Sequence, residues 1–277
     1  MTSVSVIIPT FNRARKVTRA ISSVLYQDLR DYEIIVVDDG STDNTSTVLS
    51  QFGRGIKGVV HTNNLGVSAA RNAGIRVSKA PFVAFLDSDD YWLPGKVRVQ
   101  LEFFEKNPGA VACQTQEIWI RRGRRVNPKK EHLKPDGDIF VPSLRRCVVS
   151  PSAVMLRREL LGKVGLFDER LPACEDYDLW LRIGRRYPIH LVRQYLVVRE
   201  GGALDQLSAR YRPMDRYRIY SLVKLIRSGV LASKQQEEAL KELSRKCSIY
   251  AGGCLKRGRI EEGEFYLRLP DNLRARL

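Results

Sequence analysis

The sequence predicts an α/β protein whose largely parallel sheet lies between helices in three layers, with a helical extension at its C-terminal end. Three observations predict it. From residue 3 to residue 105, short β-branched apolar runs alternate with stretches of helical spacing, the rhythm of successive βα units. Two of these runs end in acids, at Asp38-Asp39 and at Asp87-Ser88-Asp89-Asp90, the edge at which open α/β sheets bind ligands. Beyond Gly201-Gly202 the β-branched runs give way to helical periodicity.

Ser3–Pro9 is the first strand. Arg13–Gln27 follows as a helix with Val17, Ile21, Val24 and Leu25 on one face. Glu33–Val37 is the second strand, Thr45–Phe52 a helix, Val59–His61 a short third strand and Asn64–Ser78 a helix with a loop-like start. Phe82–Leu86 is the fourth strand, and Pro94 introduces a helix over Lys96–Phe104. After Pro108 the rhythm changes. Strands are predicted at Ala110–Ile120, Ser152–Leu156 and Ile189–Val198, with helices at Arg158–Val164 and Glu175–Arg186. Met214–Arg227, Lys234–Ala251 and Glu261–Arg268 are the helices of the extension.

Hydrophobic residues make up 43% of the 277, enough for a full core. No apolar run approaches the roughly 18–20 residues of a membrane span, and the first residues read as a strand, not as a secretion signal. Five scattered cysteines, Cys113, Cys147, Cys174, Cys247 and Cys254, form no framework or CxxC pair, which suits a reducing, cytoplasmic setting. The net charge of +16 includes Arg121, Arg122, Arg124, Arg125, Lys129 and Lys130 within ten positions. Such charge fits nucleic acid, anionic headgroups, phosphorylated substrates or simply a solvated hairpin tip. No nucleic-acid motif accompanies it, so no specific nucleic-acid partner is expected.

Five polar clusters fall at strand exits or helix starts. Pro9-Thr10-Phe11-Asn12-Arg13 can present backbone amides to a base or phosphate, or cap a helix through Thr10 or Asn12. Asp38-Asp39-Gly40-Ser41 can accept hydrogen bonds from a nucleobase or ribose, or form an Asx turn around a positive-φ glycine. In the small-residue helix Asn64–Ser78, Arg71 is out of place unless it meets a phosphate or an aspartate; the other reading is a surface arginine with its stem on apolar neighbours. The three carboxylates of Asp87–Asp90 repel one another, which a divalent cation or a cation bridged by phosphates relieves; otherwise they cap the following helix. At Cys174-Glu175-Asp176, acids at a helix start complement its dipole, or one of them serves as a general base.

Taken together, VSVIIPTFNR, IIVVDDGSTD, NLGVSAARNAG, FVAFLDSDDYW and ACEDYDLWLRI resemble, in order and spacing, family 2 glycosyltransferases of the GT-A fold, over residues 3–200. The resemblance implies a Rossmann-like three-layer sandwich with a mostly parallel mixed sheet. Residues 1–108 would be its nucleotide-sugar-binding half, 109–204 its acceptor-binding and catalytic half, and 205–277 the helical extension. It implies inverting transfer of a sugar from a nucleotide-diphosphate donor to a hydroxyl of a saccharide or lipid-linked acceptor, in polysaccharide or glycolipid synthesis. By position, Pro9, Thr10 and Asn12 line the nucleotide pocket, Asp39 holds the base with Asp38 nearby, and Arg71, Asp87 and Ser88 contact the donor. Asp89 ligates Mn²⁺ or Mg²⁺ with the diphosphate, and Asp176 is the catalytic base, supported by Glu175. Such enzymes often add a histidine metal ligand after the core. Residues 201–206 hold none, leaving Asp205, or Asp89 with phosphates and water.

Three rivals stand beside this reading. In aspartate-nucleophile phosphatases the DxD follows the first strand, whereas here it follows the fourth. The Gly-rich, basic first loop of nucleotidyltransferases is absent. A non-enzymatic basic module for nucleic acid or membrane surfaces is the rival from a different class. The basic excess also suits peripheral attachment to the inner face of an anionic membrane.

Overall fold

The computed structural model describes residues 2–127, 132–202 and 206–277; Lys129, Lys130 and Asp205 lie outside them. The first part consists of β1 (Val4–Thr10), α1 (Ala14–Leu25), β2 (Tyr32–Asp38), α2 (Thr45–Ser50), β3 (Lys57–Val60), α3 (Val67–Val77), β4 (Phe82–Phe85), β5 (Tyr91–Trp92) and α4 (Lys96–Lys106). Then come β6 (Ala112–Arg121), β7 (Arg124–Val126), α5 (Phe140–Arg145), β8 (Val154–Arg157), α6 (Arg158–Val164), α7 (Glu175–Gly184) and β9 (His190–Gly201). Helices α8 (Leu207–Arg210), α9 (Asp215–Arg227), α10 (Ser233–Leu255) and α11 (Ile260–Arg274) complete the chain.

One mixed sheet runs β3-β2-β1-β4-β8-β6-β9-β5, with β7 paired to β6 alone. Strands β3, β2, β1 and β4 are mutually parallel, as βα crossovers require. Strand β8 is antiparallel to both β4 and β6, and β9 returns parallel to β6. The chain therefore leaves β1 in one direction for β2 and β3, then crosses to its other side for β4. This is a topological switch point, and the crevice beyond the carboxyl ends is the expected ligand position.

Strands β1, β2, β4 and β8 are covered on both faces, which is why they read as continuous apolar runs. On β1, Val4, Val6 and Ile8 pack toward Val17, Ile21 and Val24 of α1 and Val97 and Phe104 of α4. Ile7 faces the other layer, with Ala70 and Ile75 of α3, Leu160 of α6 and Leu179 and Trp180 of α7. Burying each such aliphatic side chain stabilises the fold by about 1.5–3 kcal/mol. Helix α3 lies so close to β1 that a Cβ on Gly74 would overlap the Ile7 side chain, the use to which its small residues are put. A third cluster joins Tyr177 and Leu181 of α7 and Phe140 and Leu144 of α5 to Ile219, Leu222, Leu243 and Tyr250 of the C-terminal helices. Helix α7 is thus clamped from both sides, which fixes where its first turn points.

The sequence reading misses β5, β7, α5 and α8. Strand β5 is a two-residue strand that exists only as a partner of β9, Tyr91 opposite Val198 and Trp92 opposite Val197. Strand β7 is the exposed return of a hairpin turning at Arg122 and Gly123, both at positive φ. Neither carries an apolar periodicity of its own.

Candidate active site

Beyond the switch point opens a cleft of about 560 Å³. Of the sequence-selected residues, Pro9, Arg71, Asp87, Ser88, Asp89, Glu175 and Asp176 line it. Thr10 and Asp38 end β1 and β2, and Asn12 and Asp39 lie in the loops that follow them.

That loop cluster is tied side chain to backbone. Asn12, at positive φ, does not cap α1. Its Oδ1 accepts the amides of Thr42 and Asp43 at 2.7 and 3.3 Å. Asp38 accepts the Ser41 amide at 3.0 Å, three residues on, across Gly40, whose φ is +76°. A Cβ at Gly40 would meet the Asn63 backbone at 2.5 Å. Asp39 accepts the Leu65 and Gly66 amides at 3.0 and 2.8 Å, and His61 Nδ1 lies 2.7 Å from its Oδ1. Buried Thr10 Oγ1 has no hydrogen-bond partner among the described residues.

The acids after β4 do not cap α4, whose N-cap is Gly95; each has its own partner. Asp87 accepts Arg71 Nη2 at 2.6 Å. Asp90 is buried, accepting the Ser152 hydroxyl at 2.6 Å and the Glu200 amide at 3.1 Å. Burial, with Asp89 and Asp87 alongside, lifts its carboxyl well above the usual range. Asp89 faces the cleft, its oxygens 3.3 Å from Arg13 Nη1 and 3.2 Å from Gln206 Nε2.

Arg71 is buried, not a surface arginine. Its Nη1 donates to Glu175 at 2.5 Å, its Nη2 to Asp87, and its guanidinium lies 5.2 Å from the centre of the Phe167 ring. It thereby links α3, the β4 exit and the start of α7. Burial pushes the Glu175 carboxyl up, with Asp176 adding to it, against the pull of Arg71. The three acids of α7's first turn diverge. Asp178 pairs with Arg182 and Lys224 at 2.9 and 2.6 Å, Glu175 with Arg71, and Asp176 opens to the cleft. Asp176 Oδ1 accepts the Tyr177 amide at 2.7 Å, and its Oδ2 accepts the Cys147 thiol at 3.1 Å. Cys174, at φ +62°, provides the sharp entry into that turn.

Sequence reasoning missed several residues of the cleft. Arg199, on β9, faces it with no hydrogen bond or ion pair among the described residues; its guanidinium lies 5.8 Å from the Trp119 ring centre. An arginine directly after the apolar run Leu196-Val197-Val198 was the available signal. Gln206, Trp119 and His132 also line the cleft, from segments with no chemical pattern of their own; Arg13, which closes the polar cluster after β1, lines it too.

Among the described residues, no three His, Cys, Asp or Glu side chains are grouped to hold a cation. Asp89, with two long and exchangeable contacts, fits a cation shared between one carboxylate and a ligand's phosphates, the usual manner for Mg²⁺.

A sheet with this switch point, an acid cluster at the β4 exit and an acid-bearing helix facing it defines the GT-A glycosyltransferase architecture. The solved structures agree. Staphylococcus aureus TarS 1–349 in complex with UDP-GlcNAc superposes with a TM-score of 0.69 at 17% identity, covering 96% of this chain and 90% of that one. The mannosyltransferase PcManGT of Pyrobaculum calidifontis, in complex with GDP-Man and Mn²⁺, gives 0.66 at 17% identity, covering 97% and 85%. The sequence model of glycosyl transferase family 2 matches residues 5–165, and the chain belongs to that family. The succinoglycan biosynthesis protein ExoU of Rhizobium meliloti is 31% identical over 260 residues, 88% of this chain and 75% of ExoU. An uncharacterised glycosyltransferase of Rickettsia felis is 33% identical over 205 residues, 70% of this chain but 33% of the relative, so the chain matches about a third of that protein's length.

Proposed function

We propose that the protein is an inverting glycosyltransferase. It moves a sugar from a nucleotide-diphosphate donor to a hydroxyl of a saccharide or lipid-linked acceptor, in polysaccharide or glycolipid synthesis. The observation that carries this reading is the convergence of Asp89 and Asp176 on one cleft, from the β4 exit and the start of α7. The relation to ExoU supports the polysaccharide setting.

On this reading Pro9, Thr10 and Asn12 border the nucleotide with Asp38. Asp39 holds the base, its carboxylate oriented by Leu65, Gly66 and His61, and the unpartnered Thr10 hydroxyl is available to the ligand. Arg71 fixes Asp87 and Glu175, while Asp87 and Ser88 contact the donor's sugar side. Asp89 would hold Mn²⁺ or Mg²⁺, which would supply charge neutralisation to the diphosphate when bound. Arg199 and Arg13 add guanidinium donors to the same charge. Asp176 takes the proton from the acceptor hydroxyl as it attacks the anomeric carbon on the face opposite the leaving group. Glu175, paired with Arg71, steadies the turn that aims the base. The basic surface attaches the enzyme to the inner face of the membrane, where lipid-linked acceptors are presented.

Transfer from a set of nucleoside diphosphate sugars, with Mn²⁺ or EDTA, tests the reading. Asp176→Asn should keep metal-dependent nucleotide binding, seen as a rise in melting temperature, and lose turnover. A folded wild-type protein that binds no nucleoside diphosphate overturns the proposal in favour of a basic binding module.

A further inference from the structure

A second, shallower pocket lies against the C-terminal helices, lined by Arg212, Pro213, Met214, Arg257 and Arg259. Three of its five lining residues are arginines, and none is an acid. They come from two places in the chain: the segment leading into α9, and the turn joining α10 to α11. That turn passes through Gly258 at φ +73°, which brings Arg257 and Arg259 to the same pocket. Arg257 Nη1 donates to the Gly253 carbonyl at 2.7 Å, and Arg259 Nη1 to Glu262 at 2.9 Å. A guanidinium carries five N–H donors, so each retains several for a ligand.

The position of this pocket matters as much as its charge. Met214 lines both it and the catalytic cleft. The Met214 carbonyl lies 3.8 Å from Sγ of Cys174, the residue that opens the turn carrying Asp176. The arginines therefore stand across Met214 from the cleft, next to the turn that opens α7. Planar guanidiniums in a cluster suit the tetrahedral oxygens of phosphate, which they can bind in bidentate fashion.

We infer that this three-arginine pocket binds the phosphate or diphosphate group of the acceptor, while the acceptor's hydroxyl lies at Asp176. The assignment to an acceptor rests on the glycosyltransferase reading; the anion site itself does not. It gives the C-terminal helices a task in substrate choice.

The test is calorimetric titration of the full chain with inorganic pyrophosphate in EDTA, which weakens any metal-bridged binding in the cleft. Arg257→Gln/Arg259→Gln, in an exposed turn, should weaken pyrophosphate binding at least tenfold, and Arg257→Lys/Arg259→Lys should retain most of it. Farnesyl diphosphate distinguishes the sources. Tighter binding than pyrophosphate assigns the pocket to a lipid-linked diphosphate, and equal binding assigns it to a soluble phosphorylated acceptor. Unchanged pyrophosphate affinity in the folded glutamine variant overturns the inference. Nucleoside diphosphate binding with Mn²⁺, measured on the same proteins, separates the two readings. If it persists where pyrophosphate binding does not depend on the arginines, only the pocket assignment fails. If it is absent while the arginine-dependent site remains, only the transferase reading fails.

Discussion

Replacing Arg71 with Met should expose how much the centre of the site depends on one ion network. The guanidinium is buried between Glu175 and Asp87, at 2.5 and 2.6 Å. Methionine fills much of the same space and leaves both carboxylates without their partner. Removing one member of a buried pair costs about 3–5 kcal/mol. Glu175 limits the loss by taking up a proton, because burial already pushes its carboxyl up to about 7. The lower end, about 3 kcal/mol, is therefore expected at neutral pH, a fall in melting temperature of about 6–12 °C. The deficit should shrink toward pH 5.5, where a protonated Glu175 needs no partner, and grow toward pH 8, where the folded variant must hold either a buried charge or a proton the unfolded chain gives up. The assay is a double-mutant cycle of wild type, Arg71→Met, Glu175→Gln and the double variant, by denaturant unfolding at both pH values. A coupling above about 1.5 kcal/mol is expected, with Glu175→Gln recovering much of the loss. Additivity within about 0.5 kcal/mol would refute the network as the source of the stability.

Lys96 is fully buried, with its ammonium 2.6 Å from Gln100 Oε1 and 3.9 Å from the Trp92 ring centre, and burial lowers its pKa to about 7. Between pH 7 and 10.5 the unfolded chain holds a proton that the folded one releases, so stability rises with pH across that window; Lys96→Met should stabilise the protein by up to about 5 kcal/mol at pH 6.5 and by almost nothing above pH 10.5, and an equal gain at both would sink the argument. Cys147→Ala removes the thiol that lies 3.1 Å from Asp176; on the proposed function kcat should fall about threefold to tenfold, with Cys147→Ser restoring it. Equal kcat in the three proteins would show that the thiol does not help hold Asp176. Arg199→Ala should weaken donor binding by about ten- to a hundredfold, the worth of a charged hydrogen bond, while denaturant unfolding changes by less than about 0.5 kcal/mol; a large stability loss with unchanged donor affinity would place Arg199 in the scaffold.

Strands β1, β2 and β4 were legible because each is buried on both faces and so carries an uninterrupted apolar run. The acids after β4 were legible as a location but not as a division of labour. Only the antiparallel approach of β9 and the Ser152 turn show that Asp90 is consumed by structure, leaving Asp89 to the cleft. Arg71 could be flagged from sequence as an arginine on a helix of small residues, but its two partners lie 16 and 104 positions away, beyond any local pattern. A separation of 29 positions likewise hides Cys147, whose contact with Asp176 follows from the packing of the α5 segment against α7. Lys96 is, in sequence, only the first residue of the predicted helix Lys96–Phe104; its complete burial depends on residues such as Trp92 and Gln100 that close over it.

On the proposed function, the charges of the cleft give a reason why a protein of net charge +16 would still need a cation for a diphosphate donor. Arg71 is spent on Asp87 and Glu175, and Arg19 on Glu200 at 2.6 Å. Arg13 leans on Asp89. Arg199 and Arg121 remain as cleft-lining guanidiniums without an ion pair among the described residues, while Asp89 and Asp176 still point at the space a ligand would fill. A bare diphosphate entering a cleft lined by six acidic residues and four arginines meets more carboxylate than guanidinium. The basic exterior can raise the rate at which anions arrive, but it cannot offset repulsion between groups a few ångströms apart in a partly desolvated cleft. Binding must then bring its own positive charge, which ties donor and cation affinity together, and Asp89→Asn should weaken cation-dependent donor binding while leaving any cation-independent binding unchanged or tighter.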